Sequence, residues 1–181
     1  MACISKLASA IAYDCDSGAT GLESALIINK ADIASYTVSS TTAVVTTLTL
    51  VKGAKPFKID TVKRSLVVSS SLKINDGAPN AHSHSAIITM TANTDSTARV
   101  ATDAFANGSF VIVAKWCSRV SAEIYGLYYG MSATGVESNS HDNGGWTTVT
   151  LETPENVIGE DTLRAGDTVY TNLLAAAADN N

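Results

Sequence analysis

The residues of this 181-residue chain that could do chemistry are few and scattered. His82 and His84 sit two apart, and on a strand that spacing puts both imidazoles on one face, as a metal site requires. His141, in the loop Asn139-Ser140-His141-Asp142-Asn143-Gly144-Gly145, is the third ligand such a site would need. Solvent-facing histidines at the end of a polar loop are the more ordinary arrangement, and no metal is expected. Cys117 with His141 and Asp142 could supply a nucleophile, a base and an orienting carboxylate. No reactive-cysteine pattern surrounds Cys117, however, and it reads as a semi-buried structural residue. The chain has no Gly-x-x-x-x-Gly-Lys-Ser/Thr loop, no Gly-x-Gly-x-x-Gly opening a helix, no Gly-x-Ser-x-Gly and no paired-carboxylate motif. Neither enzymatic activity nor a cofactor is therefore expected. Tyr125, Tyr128, Tyr129 and Trp146 could line a sugar platform, although aromatics on alternating strands belong more often to a core or an interface.

The elements that would position these side chains centre on Val62 to Trp116. Arg64 to Ile74 alternates, with Leu66, Val68, Leu72 and Ile74 on one face and Ser65, Val67, Ser69, Ser71 and Lys73 on the other. After the polar loop Asn75-Asp76-Gly77-Ala78-Pro79-Asn80, a second run sets Ala86, Ile88 and Met90 against Ser85, Ile87, Thr89 and Thr91, which predicts a long antiparallel hairpin. One helix is predicted over Thr94 to Asn107, capped by Thr94 or Asp95, with Ala98, Ala101 and Phe105 at helical spacing. Asn107-Gly108 suits a left-handed stop. Phe110 to Ala114 is apolar on both faces, which predicts a central strand covered on each side.

Elsewhere strands are expected over Leu22 to Ile28, Ile33 to Val38, the β-branched run Val44 to Val51, and Trp146 to Glu152. Phe57 to Asp60 reads as a hairpin arm returning from the turn Lys52-Gly53-Ala54. Ser121 to Met131 reads as one strand, bent at Gly126 and Gly130. These expectations divide the chain into an N-terminal arm over residues 1–21, a β domain over 22–154 with its helix near 95–107, and an extended C-terminal tail over 155–181 with one helical turn at Leu173 to Ala178. The predicted class is mainly β, a sandwich or barrel with one short α-helix and a long hairpin.

A net charge of −5 argues against a free-standing nucleic-acid binder. The charge is unevenly spread. Lys52, Lys55, Lys58, Lys63, Arg64 and Lys73 share their segment with the single acid Asp60, whereas from Glu123 onward acids face only Arg164. Opposite patches on one chain suit head-to-tail contacts between copies. Cys3, Cys15 and Cys117 form no disulfide or zinc pattern and fit a reducing compartment. No apolar run approaches the ~18 residues of a membrane helix, and no membrane partner is expected. Lys6 followed by Leu7 to Ala12 is too short and interrupted to read as an export signal.

The order hairpin, capped helix, strand and ribbon resembles tail tube (major tail) proteins of long-tailed bacteriophages. The likeness lies in the hairpin Arg64 to Thr91, the helix Asp95 to Ala106 with Gly108-Ser109-Phe110 restarting the sheet, Ile124-Tyr125-Gly126-Leu127 with Gly130, and Asp142-Asn143-Gly144-Gly145-Trp146 before a Thr-rich strand. Cys3-Ile4-Ser5-Lys6-Leu7 with Tyr13-Asp14-Cys15 and Gly21-Leu22 is similar to structural proteins of phages of Bacteroidetes-type hosts. Together these stretches cover about half the chain. The resemblance implies a virion protein assembled in the host cytoplasm, whose hexameric rings stack into a tube and contact other virion proteins. Genome DNA passes through without specific binding. Under that reading the assembly and lumen hairpin comprises Arg64, Ser65, Ser69, Ser71, Lys73, Asn75, Asp76, Ser83, Ser85 and Thr89. Its serine face would hydrate the lining, and Arg64 and Lys73 would meet acids of a neighbouring ring. A secreted adhesin, pilin-like or carbohydrate-binding β-sandwich is the main alternative; a connector, head-completion or decoration protein is the other.

Overall fold

The computed structural model describes residues 21–59, 61, 65–74, 76–77, 79–90, 96–117, 119–138, 146–154 and 163–177, with 96–99 as backbone alone. Eleven strands join in one mixed sheet: β1 Leu22–Asn29, β2 Ile33–Val38, β3 Val44–Leu50, β4 Phe57–Ile59, β5 Leu66–Lys73, β6 Ala81–Met90, β7 Ser109–Trp116, β8 Glu123–Tyr125, β9 Met131–Ser138, β10 Thr147–Glu152 and β11 Leu163–Ala165. Among the described residues two short helices accompany them, α1 Ser96–Asn107 and α2 Asp167–Ala176. The fold is mainly β and sandwich- or barrel-like, as the alternation predicts, with a second helix in place of the single one expected.

β7 is the spine. It pairs along its length with β1 on one side, and on the other with β8 through Ile112–Ala114 and with β9 through Ser109 and Phe110. Because side chains alternate along a strand, its apolar run feeds two cores. Phe110, Ile112 and Ala114 enter one with Ala25, Ile27, Leu66, Val68, Ala86, Ile88, Val149 and Leu151. Val111 and Val113 enter the other with Leu26, Ile28, Val45, Ile124, Leu127, Leu163, Val169 and Leu173. The strand is thus covered on both faces, as its composition requires.

Four local expectations are corrected. β4 pairs with β1, through Ala25–Ile59 and Ile27–Phe57, rather than returning beside β3. Ser121 to Met131 is not one strand: β8 ends at Tyr125, Gly126 and Gly130 adopt φ of 74° and 76°, and β9 begins at Met131. Gly108 ends α1 without a left-handed φ. A Cβ there would lie 2.7 Å from the Ala104 carbonyl oxygen and collide with the Phe110 ring, so close approach is what demands glycine. Finally, Leu163 to Ala177 is no tail. β11 pairs parallel with β3 and antiparallel with β8, and α2 buries Val169 and Leu173 in the second core.

Candidate assembly surface on the long hairpin

β5 and β6 hold eight cross-strand pairs, Leu66–Ile88 through Lys73–Ala81, without a register shift. β10 covers the other edge of β6 from Met90 to Ser85, where it stops at Glu152. One more rung is added by Thr153, whose N–H donates to the His84 carbonyl and whose Oγ1 accepts the His84 N–H, each at 3.0 Å. Beyond His84 the hairpin continues as a two-stranded ribbon. Among the described residues β5 pairs with β6 alone, so its outer edge is open.

Strand alternation places Ser65, Ser69, Ser71 and Lys73 of β5 and its approach on the outward face, and Ser83, Ser85 and Thr89 of β6 opposite them. Facing hydroxyls bond across the ribbon, Ser69 to Ser85 at 2.9 Å and Ser71 to Ser83 at 2.6 Å. The Thr89 N–H donates to the Ser65 carbonyl at 2.7 Å and closes the hairpin at its root. Thr148 and Thr150 of β10 extend the hydroxyl-bearing face through their pairing with Thr89 and Ile87. Sequence reasoning left these two threonines out, because alternation shows a strand's faces but not its neighbour. Val67 and Ile87 interrupt the polar face and are 44% and 39% exposed. Lys73 and Asp76 are exposed at the tip. Arg64 and Asn75 lie outside the described residues.

The inward face divides in two. Leu66, Val68, Ala86 and Ile88 are buried in the first core. Farther out, Ser70, Leu72 and His82 overhang an open cleft of about 490 Å³, whose floor is Trp116, Arg119, Glu123 and Tyr125. The floor is a closed chain of polar contacts. The Trp116 Nε1–H donates to the Tyr125 hydroxyl at 3.1 Å, that hydroxyl donates to Glu123 Oε2 at 2.7 Å, and Arg119 ion-pairs with Glu123 Oε1. The Arg119 guanidinium also lies 4.8 Å from the Trp116 ring centroid, in cation–π range. Burial, and then the bond donated to Glu123, push the Tyr125 phenol well above its ordinary range. No spacing in the sequence marks this cluster, because Arg119 lies in the irregular segment before β8, where residues four apart are not helical neighbours.

His82 and His84 do share a face. His82 is half-buried in the cleft wall, whereas His84 is 1% exposed and its Nδ1 accepts the Gly126 N–H at 2.9 Å. An imidazole nitrogen used in that way is not offered to a metal, and no group of three potential metal-ligating side chains forms among the described residues. Cys117 is exposed rather than semi-buried, and His141 and Asp142 lie outside the described residues. The aromatic platform is dispersed: Tyr125 is core, Tyr128 packs edge-on to Tyr36 at 5.9 Å, and Tyr129 and Trp146 are exposed. Among the described residues no helix is long and apolar enough to cross a membrane. No protein-family model, curated protein or solved structure matches this chain.

Proposed function

We propose that this chain is a structural subunit that assembles with copies of itself, and within that class the tail tube subunit of a long-tailed bacteriophage. The observation that carries the reading is the β5–β6 hairpin, whose regular register, open outer edge and overhanging apolar residues are a liability in a lone monomer. Neighbouring copies in a ring would pair that edge and cover those residues. The paired hydroxyls of Ser69, Ser71, Ser83 and Ser85, with Thr150, give a face that is wet, and that carries few positive charges to hold passing DNA. The excess of acids from Glu123 onward, against Lys52, Lys55, Lys58 and Lys73, supports contact between unlike surfaces of adjacent copies. The site of action is then the virion, assembled in the host cytoplasm, with other virion proteins as further partners.

A secreted carbohydrate-binding module is favoured by one feature, the aromatic cleft beneath the hairpin. Its polar groups, however, already bond one another, which leaves a sugar few donors and acceptors. Negative-stain microscopy of the purified protein separates the readings: stacked rings of uniform diameter are expected, and particles that stay monomeric at every concentration would contradict assembly. A single ring that never stacks would point to a connector or head-completion part instead. Shortening the loop over residues 75–81 is expected to abolish stacking while leaving cooperative unfolding of the monomer intact.

A further inference from the structure

His84 is buried at the base of the outer ribbon, and it ties three parts of the molecule together. Its main chain is held at the end of β10, where the Thr153 N–H donates to its carbonyl and its own N–H donates to Thr153 Oγ1, each at 3.0 Å. Its imidazole Nδ1 accepts the N–H of Gly126, in the turn after β8, at 2.9 Å. A neutral imidazole carries a single N–H, and a ring nitrogen that accepts a hydrogen bond does not bear it, so the proton sits on Nε2. The charged ring is a donor at both nitrogens. Protonation would therefore set Nδ1–H against the Gly126 N–H, donor against donor, in a site closed to water.

Few ionisable groups among the described residues share this side of the sheet. From β8 the Tyr125 ring lies edge-on to His84 at 5.4 Å, and its hydroxyl donates to Glu123, which Arg119 also pairs. On β6 itself His82 shares the face two residues away, while β5 and β10 contribute the hydroxyl residues Ser70 and Thr153. Glu152 pairs with Ser85 and so belongs to the opposite face. The carboxylate on this side, Glu123, is thus already compensated by Arg119.

We propose that His84 is an acid-operated catch: it fastens the base of the outer ribbon to the turn after β8 only while it is neutral, and taking up a proton releases that contact. The inference concerns a single chain and stands or falls independently of how copies assemble. The closed junction binds no proton at His84, whereas the opened one binds it near pH ~6.5, as a free imidazole does. Closure is therefore fully stabilised above that pH and is lost progressively as the pH falls below it. Carboxylates titrate roughly two pH units lower, so the window from about pH 6.5 to about pH 5 reports histidine. Leu72 lies on the ribbon beyond His84, so acid loosens the element that presents it.

Native-state amide exchange in the dilute monomer, corrected for the intrinsic rates at each pH, reads the catch at the Gly126, His84 and Thr153 N–H groups. Their protection is expected to fall about tenfold per pH unit through this window, while the amides of Val149 and Leu151 hold. His84→Asn keeps an acceptor near the place of Nδ1 and takes no proton, and it is expected to abolish the fall. His82→Asn is expected to leave the fall intact. Protection that stays flat across the window, or that falls equally in His84→Asn, overturns the proposal. Imidazole nitrogen NMR of the unsubstituted protein decides the matter even where His84→Asn fails to fold. The signal of charged His84 is expected to grow in step with the loss of Gly126 protection, and a charged His84 beside a still protected Gly126 amide overturns the proposal.

Discussion

At its root the β5–β6 hairpin buries Leu66, Val68, Ala86 and Ile88 at 5% exposure or less, beneath a sheet that β10 extends. Four residues beyond Val68, Leu72 keeps the same strand phase and is half exposed, and Ile74 after it is nearly bare. The two halves share one alternation and one unbroken register. They differ in what lies against them, because β10 ends at Glu152 and the floor of the cleft is set back from the ribbon. Alternation states which face a residue is on. Whether that face is covered depends on the strands that pack beside and beneath it, and at the tip Leu72 and Ile74 are left exposed.

The contrast can be broken most forcefully at its two ends. Ile88→Ala is expected to destabilise the monomer by about 2–5 kcal/mol in denaturant titrations, since it empties a filled core position. Ile74→Ala is expected to stay within about 0.5 kcal/mol. Comparable losses at both positions would show the tip to be packed within its own chain. At the boundary between the halves, Gly126→Ala is expected to cost about 1–3 kcal/mol. Its φ is 74°, a Cβ would approach Met131 Cγ to 2.8 Å, and its N–H is the donor to His84. Tyr125→Phe removes the hydroxyl that bridges Trp116 and Glu123, with an expected loss of about 1–2 kcal/mol.

The same phenol gives a pH signature. Folding holds Tyr125 neutral and raises its pKa, so its contribution is fully present below the unfolded value near 10. Above that pH the unfolded state releases the proton first and stability falls. The alkaline loss should therefore be smaller in Tyr125→Phe. Equal alkaline slopes in both proteins would show that the cluster under the hairpin is not sealed. The smallest effect is expected from Ser71→Ala, which removes an exposed hydroxyl pair and should leave monomer stability within about 0.5 kcal/mol.

Much of this was legible in the chain. The two-faced apolar run of β7, the alternation of β5, β6 and β10, and the helical spacing of Ala98, Ala101 and Phe105 all follow from periodicity. The C-terminal elements did not, for a physical reason: α2 contains Thr168, Val169, Thr171 and Asn172, poor helix formers whose helicity is imposed by packing Val169 and Leu173 into the second core. β11 is three residues long and is a strand only because β3 and β8 flank it. The serine face could be named residue by residue, because it follows from strand phase. The apolar overhang could not, since Leu72 and Ile74 look like core until the end of β10 is known.

Hydrogen–deuterium exchange across a concentration series tests the central claim directly, because it reads the two halves of one hairpin in the same sample. The amides of Leu66–Val68 and Ala86–Ile88 are expected to be protected to the global limit at every concentration. Those of Ser70–Lys73 and Ala81–Ser83 should exchange quickly in dilute protein and become protected as assembly sets in. Tip amides that are fully protected in the dilute monomer, or that stay unprotected in the assembled protein, would contradict the account.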